Sequence, residues 1–529
     1  MIQIIAFIAV TTLVGILSYW FSRNKKKEGA DAYFLGGRSL KATVIAGSLL
    51  LTNLSTEQIV GLNGQAFSEG ILVMAWETLA AIAMVVTAVF LLPKYLKGGI
   101  TTVPQFLANR YDASTKTITS FLFLSGYVVI LLPIVLYSGA LAINTMFDVP
   151  EIFGISESIA LWITVWCIGI IGAIYAIFGG LKTVAISDTL NAVGLLIGGL
   201  MIPFFALYMI GDGNIFSALQ SIRAEIPEKF NAIGNSNSSV PFGTIFTGMM
   251  LVQLFYWGTN QAIIQRALGA ENLKEGQKGL LLAAFLKILG PIIVVLPGII
   301  AFYLFQDLEI SNHDKAYPML VKEVLPAGLT GLFAAFLFGA ILSSFNSALN
   351  SSVTLFSIDF YKPFFNKNAE EKELIKSGKI FGTVLAILSM LIAPLIAYAP
   401  SGLFGYLQKV NGCYSIPILS IIIVGYMSKK VDALAAKIAI VAGVVLYLTY
   451  ILLDSFVLEN VFPHFLHVMA MLFVFNIVLM FGISYFYPRK TDFELAYTEQ
   501  VEIKPYKYLK ATSFIIIFIV VFIYVYFAN

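Results

Sequence analysis

The sequence predicts an all-α integral membrane protein with about fourteen transmembrane helices. Hydrophobic residues make up 59% of the 529 residues, charged residues make up only 12%, and the mean hydropathy is +0.87. A soluble domain has roughly a quarter of its residues charged, so this composition indicates a membrane protein. The polar stretches between the apolar runs have the length of loops, which predicts a single membrane domain.

The apolar runs each reach the length that a helix needs to cross a bilayer, roughly 20 residues. Several are longer, which predicts tilted or kinked helices. The first run is too long for a cleaved signal peptide and is followed by basic residues, so we expect it to be retained as a helix. In chain order the runs lie near residues 2–22, 44–66, 72–93, 117–146, 156–178, 183–211, 242–265, 279–306, 328–359, 378–398, 403–426, 431–453, 461–486 and 511–528.

Lysine and arginine are distributed unequally between the loops on the two sides of these spans. The first run is followed by RNKKK at 23–27, and most other basic loops fall on the same side, called the basic side below. The opposite loops contain only Arg223, Lys229, Lys315 and Lys322. Because basic loops remain cytoplasmic, we expect both termini to lie outside a bacterial inner membrane. This topology explains the basic loops without a nucleic acid, and no obligatory protein partner is indicated.

The cysteines and histidines do not predict a metal or redox site. Cys167 and Cys413 lie in apolar runs, so we expect free thiols that pack as small hydrophobic side chains. His313, His464 and His467 do not cluster with the cysteines. No glycine-rich loop of the phosphate-binding type occurs.

The stretch LLLTNLSTEQIVG, residues 49–61, places six polar residues in the middle of the second apolar run. A helix that is interrupted within the membrane frees backbone N–H and carbonyl groups, which is tolerated where they line a cavity or bind a ligand. Freed carbonyls and neighbouring hydroxyls are oxygen donors that suit Na⁺. The stretch therefore predicts a broken helix at an ion and substrate site.

Polar residues also lie at mid-depth in other spans, where they are costly unless they are paired or face water. Tyr256 and Trp257 follow Gln253 at i+3 and i+4, so the three share a helix face. Each group has a structural alternative: a plain ion pair of the acidic and basic residues, ordinary aromatic packing, or serines that allow close helix packing. Several spans each place polar residues at mid-depth, and this convergence favours a binding site. Besides Gln253, Tyr256 and Trp257, the polar mid-depth residues considered for this site are Glu77, Asp188, Lys287, Ser343, Ser344, Asn346, Ser347 and Gln408.

This pattern favours a transporter over an enzyme or a channel. No candidate nucleophile is accompanied by a base that could activate it, so no catalytic residue is predicted. A channel would repeat one motif around a pore, and no such repeat is visible. Polar groups beside broken helices at the membrane midplane are typical of secondary transporters.

Six motifs together resemble the sodium:solute symporter family, and within it most closely the bacterial sodium/galactose symporter and sodium/glucose cotransporters. The likeness runs from about residue 30 to about residue 450, in order and with few gaps. The motifs are YFLGGRSL at 33–40, NLSTEQIVG at 53–61, GGLKTVAISD at 179–188, YWGTNQAIIQR at 256–266, FLKILGPIIVVLPG at 285–298 and AILSSFNSALNSS at 340–352.

The resemblance implies a leucine-transporter-like core of two inverted five-helix repeats, formed by runs two to six and seven to eleven. The first helix of each repeat is broken in this fold, which matches the stretch at 49–61 and, less clearly, YWGTN at 256–260. It also implies three regions: an extra helix and basic loop at 1–30, the transport core at 31–430, and three additional helices at 431–529.

The resemblance further implies a sugar site, in which Gln58, Glu77, Lys287 and Gln408 form hydrogen bonds with hydroxyl groups. Tyr256 would stack on the sugar ring and close the site from the cytoplasm. A neutral polyol suits these donors and acceptors because the two opposite charges cancel and leave no net attraction for an anion. The residues implied to line the site are Trp76, Gln253, Trp257 and Phe404.

The sodium site implied by the resemblance uses the backbone carbonyls of Leu51, Leu54 and Ala340 with the hydroxyls of Ser343 and Ser344. All of these ligands are neutral oxygens. Some relatives have a second sodium site, for which the matching residues here are Asp188, Asn346 and Ser347. Asparagine replaces the usual hydroxyl residue at one of these positions.

Two departures from the family pattern concern the sugar. Ala80 replaces an expected serine, and Gln253 replaces an expected asparagine. A buried hydroxyl that loses its partner costs about 1–3 kcal/mol. Glucose, mannose and myo-inositol therefore remain open beside galactose.

The sequence thus predicts sodium-coupled uptake of a neutral monosaccharide by alternating access, with Na⁺ as the coupling ion and the bilayer as surroundings. One alternative keeps the fold and changes the solute to a nucleoside, a carboxylate or an amino acid. A second alternative is a sugar sensor that does not transport.

Overall fold

The computed structural model describes residues 2–22, 38–100, 102–178, 181–398, 403–457 and 461–528. These residues are almost entirely helical and contain no β-strand, only isolated bridges between Leu40 and Ala270 and between Asn272 and Glu502. The predicted all-α class is confirmed. The basic motif at 23–27 and part of the motif at 33–40 lie outside the described residues.

The first half of the chain contains twelve of the described α-helices. They are α1 Ile2–Ser22, α2 Ala42–Asn53, α3 Thr56–Glu69, α4 Ala75–Val86, α5 Leu92–Lys97, α6 Val103–Arg110, α7 Ala113–Gly126, α8 Leu132–Phe147, α9 Val149–Phe153, α10 Glu157–Phe178, α11 Leu181–Ile210 and α12 Ile215–Glu225.

The second half contains twelve more among the described residues. They are α13 Gly248–Gly258, α14 Gln261–Leu268, α15 Leu273–Ile288, α16 Pro291–Val294, α17 Leu296–Phe305, α18 Ala316–Val324, α19 Ala327–Leu355, α20 Glu371–Ile392, α21 Leu403–Met427, α22 Ala433–Phe456, α23 Phe465–Phe486 and α24 Leu509–Tyr526.

Polar side chains begin several helices at the membrane surface. The Asp112 carboxylate accepts a hydrogen bond from the Thr115 N–H at 2.7 Å at the start of α7. The Asn272 side chain accepts one from the Glu275 N–H at 2.9 Å at the start of α15. Such caps satisfy N–H groups that have no partner within the helix, so the chain can enter the membrane with its backbone paired.

Two membrane helices widen into π-helical turns just before a proline. Thr87–Leu91 precedes Pro93 between α4 and α5, and Tyr127–Leu131 precedes Pro133 between α7 and α8. Proline lacks an N–H and clashes with the carbonyl of the preceding turn, and a π-helical turn accommodates both effects without ending the helix.

The helix predicted to be broken is broken where its polar residues lie. Helix α2 ends at Asn53, and α3 begins at Thr56 after Leu54 and Ser55, whose φ and ψ angles are not helical. A second break separates α13 from α14, between Gly258 and Gln261. The predicted pair of broken helices is therefore present.

The second break differs from the first in how its backbone is satisfied. The hydroxyl of the fully buried Tyr95 donates to the Gly258 carbonyl at 2.9 Å. Gln261 accepts a hydrogen bond from the Val103 N–H at 2.7 Å. Side chains of the protein thus complete this break, as irregular backbone within a membrane requires.

The chain reverses direction between the second and third predicted spans. Gln58 and Glu77 would lie about 28 Å apart along one continuous helix. Their side chains are instead hydrogen-bonded at 2.5 Å, so the turn at Gly70 folds one span back onto the other. Gly70 has a φ of +77°, a conformation that favours glycine.

Ten described segments are long and apolar enough to span a bilayer, or eleven if the bent pair Leu273–Ile288 and Pro291–Phe305 is one span. The sequence predicted about fourteen. The numbers differ because a helix that is broken into short pieces does not reach the length of a span, and two runs joined without a gap in helical structure count as one segment. The predicted first span enters only as the shorter apolar helix Ile2–Leu17, the seventh is divided at its break, and the second and third are counted together as Thr56–Lys97.

Both ends of the chain pack onto the rest of the molecule. Helix α1 lies against α19, where Phe7 meets Phe338 edge to face at 5.5 Å between ring centroids. The connector between α23 and α24 runs along the basic side. There the Thr498 N–H donates to the Lys97 carbonyl at 3.1 Å. The division of the chain at residues 30 and 430 stays a prediction.

Candidate substrate and sodium site

A cavity of about 640 Å³ lies between the two broken helices and α19 and α21. It extends from Trp76, Gln58 and Phe404 towards the basic side, where Ser48 and Arg266 lie along its wall. Most of the predicted site residues border this one space. Its lining also includes Asn53, Leu54, Ser55, Glu57, Asn191, Gln253, Tyr256, Trp257, Lys287, Ala340, Ser343, Ser344, Ser347, Ser351 and Gln408.

Glu77, Lys287 and Gln58 form one buried polar cluster. The Lys287 Nζ lies 2.5 Å from the Glu77 Oε2, and the Gln58 Nε2 donates to the Glu77 Oε1 at 2.5 Å. Side-chain exposure is only 4% for Lys287 and 2% for Glu77. Glu77 lies behind Gln58 and Lys287, which themselves line the cavity. The arrangement gives a neutral group of donors and acceptors at the cavity wall.

Asn53 joins this cluster to the second broken helix, a role that the sequence did not reveal. Its Oδ1 accepts a hydrogen bond from Lys287 Nζ, and its Nδ2 donates to the Tyr256 hydroxyl at 3.2 Å. Asn53 is the last residue of α2 before the break. Its only sequence signal was its position in the polar stretch, because its two partners lie more than 200 residues away in the chain.

Aromatic side chains form the apolar part of the cavity wall. Trp76 and Phe404 meet edge to face with ring centroids 5.2 Å apart. Tyr256 is partly exposed, and Trp257 is almost fully buried. The Lys287 ammonium lies 5.8 Å from the centroid of the Trp257 ring. Polar groups next to aromatic surfaces are characteristic of pockets that bind small polar ligands.

The amide of Gln253 is engaged by the protein on both sides. Its Nε2 donates to the Trp76 carbonyl at 2.8 Å, and its Oε1 accepts from the Trp257 Nε1 at 3.2 Å. Gln253 therefore holds two aromatic walls together. As a lining residue of the implied sugar site, Gln253 has only the remaining hydrogen-bonding capacity of this amide for a solute.

Four of the five residues predicted to bind sodium line this cavity. Leu54 follows the end of α2, and Ala340, Ser343 and Ser344 lie on the part of α19 that lines the same cavity. Leu51 lies in the last turn of α2, and its side chain is outside the described part. The residues present offer neutral oxygens from the first broken helix and from α19, a donor set that fits Na⁺.

The residues of the second predicted sodium site are only partly described. Ser347 lines the cavity. Asn346 is fully buried, and neither atom of its amide has a hydrogen-bond partner within the described part of the chain. Asp188 belongs to α11, but its side chain lies outside the described residues. A buried amide without partners is the kind of group that a bound ligand satisfies.

The chain matches a family model over residues 33–443, and that model describes the sodium:solute symporter family. The chain belongs to the sodium:solute symporter family. Its sequence is 46% identical over 523 residues to the uncharacterized symporter YidK of Escherichia coli, covering 99% of this chain and 90% of YidK. Sodium is the coupling ion of this family, so this symporter couples sodium to a small solute.

Two further relatives have names that include a solute. The sodium/glucose cotransporter of Vibrio parahaemolyticus is 33% identical over 468 residues, which cover 84% of each chain. The human sodium/myo-inositol cotransporter 2 is 30% identical over 465 residues, covering 82% of this symporter and 67% of the human protein. These names describe the relatives, and the family and fold are those of transporters.

The fold is shared with solved transporters. The outward-open structure of a Na⁺-coupled sialic acid symporter superposes with a TM-score of 0.74, at 20% identity, over 93% of this chain and 99% of that chain. A nucleobase-cation symporter superposes with a TM-score of 0.55 at 14% identity, covering 85% of this chain and 94% of that chain. The leucine-transporter-like fold expected from the resemblance is confirmed.

Proposed function

We propose that this symporter takes up a neutral monosaccharide together with Na⁺. The observation that carries the proposal is the neutral cluster of Gln58, Glu77 and Lys287 beside the aromatic wall of the cavity. Sugar hydroxyls both donate and accept hydrogen bonds, and this cluster offers donors and acceptors without net charge. The apolar faces of a sugar ring suit Tyr256 and Trp257. The glucose cotransporter among the relatives supports the same class of solute.

Gln408 and Phe404 extend the proposed sugar site from the opposite side. Both belong to α21 and line the cavity with Gln58 and Tyr256. A solute held between α21 and the broken helices would contact helices on both sides of the cavity. Closing the cavity around such a solute is the step that alternating access requires.

The proposed sodium site consists of the Leu51, Leu54 and Ala340 carbonyls and the Ser343 and Ser344 hydroxyls. Its neutral ligands leave the bound ion's charge sensitive to the membrane potential. The ion would contact both the break in the first repeat and α19. Na⁺ binding and the conformation of the cavity would therefore be coupled. Asp188, Asn346 and Ser347 are proposed as a second sodium site, supported by the partnerless amide of Asn346.

The direction in which the cavity opens supports an inward-open conformation. Its lining continues through Ser48 and Arg266, and Arg266 precedes the short basic-side loop that leads to Lys274. With basic loops cytoplasmic, as the positive-inside rule predicts, this is the face from which the solute leaves. Both termini would then lie outside the cell.

A second candidate solute is a cyclic polyol such as myo-inositol. The myo-inositol cotransporters among the relatives favour it, and its ring of hydroxyls suits the same cluster. Nucleosides, carboxylates and amino acids remain the wider alternatives, and a sensor that binds sugar without transporting it is the alternative from another class.

Uptake into proteoliposomes tests this proposal. Labelled galactose, glucose, mannose and myo-inositol are supplied with and without an inward Na⁺ gradient, for the wild type and for Glu77→Ala. We expect Na⁺-dependent uptake of at least one solute and its loss in the variant. Na⁺-independent uptake would contradict the proposal. So would inhibition of uptake by nucleosides, carboxylates or amino acids alone. Binding without turnover would favour the sensor.

The sodium ligands have their own test in the same preparation. Ser343→Ala removes one proposed hydroxyl ligand, so the Na⁺ concentration for half-maximal uptake should rise several-fold while the maximal rate at high Na⁺ is kept. Ser389→Ala is the matched control, because Ser389 is a fully buried membrane serine whose hydroxyl donates to the Leu385 carbonyl at 2.8 Å. Equal shifts in both variants would argue against the site.

A further inference from the structure

Glu57 is a buried carboxylate that the proposed sugar and sodium sites do not use. It lies in the first turn of α3, lines the cavity and is only 8% exposed. Its Oε2 has no hydrogen-bond partner among the residues that the structure describes. A buried charge is costly unless an opposite charge or hydrogen bonds compensate it. A bound cation or a hydrogen-bond donor from a ligand would therefore stabilise this oxygen.

Neither basic side chain of the cavity forms an ion pair with Glu57 among the residues that the structure describes. The Lys287 ammonium is held between Glu77 and Asn53, so its charge is balanced by another carboxylate. Arg266, at the basic end of the cavity, lies within 3.4 Å of the Ser48 hydroxyl. The Glu57 carboxylate therefore lies beside the break without a direct ion pair to a described basic side chain.

The helix break gives this charge a specific position. Helix α2 ends at Asn53 and presents its carbonyl end to the break, which favours a cation. Helix α3 begins at Thr56 and presents its N–H end to the same place, which disfavours a cation. A carboxylate in the first turn of α3 offsets that second dipole. Glu57 therefore makes both sides of the break compatible with a positive ion.

We propose that Glu57 is the counter-charge for the coupling Na⁺, acting on an ion that neutral oxygens bind at the break. This inference rests on the proposed sodium site and adds an electrostatic determinant of its affinity. Leu54, a proposed ligand, lies three residues before Glu57 in the chain.

Two other roles for Glu57 lead to different results. As a ligand for a sugar hydroxyl, it would set the affinity for the solute and leave Na⁺ binding unchanged. As a residue that only stabilises the start of α3, it would affect the melting temperature and neither affinity. The proposed role predicts a change in Na⁺ affinity that is measurable without any sugar.

The test is a NaCl titration of the purified full-length protein, followed by intrinsic tryptophan fluorescence. Two of the five tryptophans, Trp76 and Trp257, lie in the cavity wall. Choline chloride keeps the ionic strength constant. Glu57→Gln should raise the half-saturating Na⁺ concentration by about tenfold or more, because a neighbouring unit charge in a partly buried site is removed. Glu57→Asp keeps the charge and should stay much closer to the wild type.

The matched control is Glu69→Gln, which removes a carboxylate from the other end of the same helix. Glu69 accepts a hydrogen bond from the Ser239 N–H at 3.3 Å and does not line the cavity. We expect its Na⁺ titration to match the wild type. Comparison of Glu57→Asp with the wild type keeps the test decisive if Glu57→Gln does not fold: an aspartate variant that folds but no longer responds to Na⁺ would overturn the proposal.

An unchanged Na⁺ titration in Glu57→Gln would overturn the proposal, as would a change confined to the apparent affinity for the solute. Failure of every hexose to be transported would refute the proposed sugar and leave this titration valid. A wild type without any response to Na⁺ would refute the sodium site at the break, and the role of Glu57 with it.

Discussion

The Lys287 ammonium and the Glu77 carboxylate form an ion pair 2.5 Å long in the interior of the membrane domain, with 4% and 2% of their side chains exposed. Neither charge could remain there alone. Removing one partner of a buried pair commonly costs about 3–5 kcal/mol, because the other charge is left without compensation. The pair is therefore both a structural element and part of the proposed sugar site.

We expect Glu77→Gln to lower the thermal stability of the purified protein and to abolish uptake. The double variant Glu77→Gln with Lys287→Met should recover much of the stability, because no unpaired charge remains, while uptake stays absent. Thermal unfolding in detergent and uptake into proteoliposomes measure the two effects. A single variant as stable as the wild type would show that the pair contributes little to the fold.

Asn53 is expected to couple Lys287 and Tyr256, since one amide contacts both. Asn53→Leu keeps a similar size and removes both hydrogen bonds, so the KM for the solute should rise by about tenfold. Tyr256→Phe keeps the ring and removes only the bond to Asn53, so its effect should be smaller. Uptake kinetics of both single variants and the double variant measure the coupling.

The effects of these two changes should not add. If the double variant loses no more than Asn53→Leu alone, the shared hydrogen bond accounts for the effect of Tyr256→Phe. Strict additivity of the two changes in free energy would show that Asn53 and Tyr256 act independently.

Gln253 is expected to determine which sugars are accepted, because its amide positions Trp76 and Trp257. Gln253→Asn is shorter by one methylene group and cannot keep both bonds without movement of the walls. We expect the ratio of galactose to glucose uptake to change several-fold, with the Na⁺ dependence preserved. Ala80→Ser restores the hydroxyl that the family pattern has at this position and should shift the same ratio. An unchanged ratio in both variants would separate sugar selectivity from these two positions.

Local composition was sufficient to predict the helical class, the apolar spans and the break at residues 49–61. Six polar residues in one apolar run are tolerated in a membrane where they face a cavity, and a broken helix provides one. The structure also brought Glu77 and Lys287 together, which the sequence had offered as one alternative. The role of Asn53 could not be predicted, because it depends on partners that the fold brings in from distant spans. The engagement of Gln253 depends likewise on the position of the Trp76 backbone.

The count of spans shows a second limit of local reasoning. Apolar length identifies a run but does not show where it bends or reverses. The reversal at Gly70 depends on a positive φ angle. The π-helical turns before Pro93 and Pro133 depend on how a helix accommodates the proline ring. These features decide where Gln58 meets Glu77, and hence where the site forms.

His464 makes the stability of the protein depend on pH at one end of α23. It lies just before this helix, where its Nδ1 accepts a hydrogen bond from the Leu466 N–H at 3.4 Å. Burial, and then the neighbouring His467, lower the pKa of His464 from 6.5 to about 4. His464 takes up a proton at a higher pH in the unfolded chain than in the folded protein. The contribution of neutral His464 to the free energy of unfolding is therefore fully present above about pH 6.5 and is lost as the pH falls towards 4.

We therefore expect His464→Asn to flatten the pH dependence of the melting temperature in this range. Asparagine can also accept the hydrogen bond at the start of the helix, so stability near pH 7 should change little. Thermal unfolding of both proteins between about pH 7 and about pH 4.5 measures the difference, and the carboxylates that titrate in both proteins contribute equally to it. Parallel curves for the two proteins would show that His464 is not the group responsible.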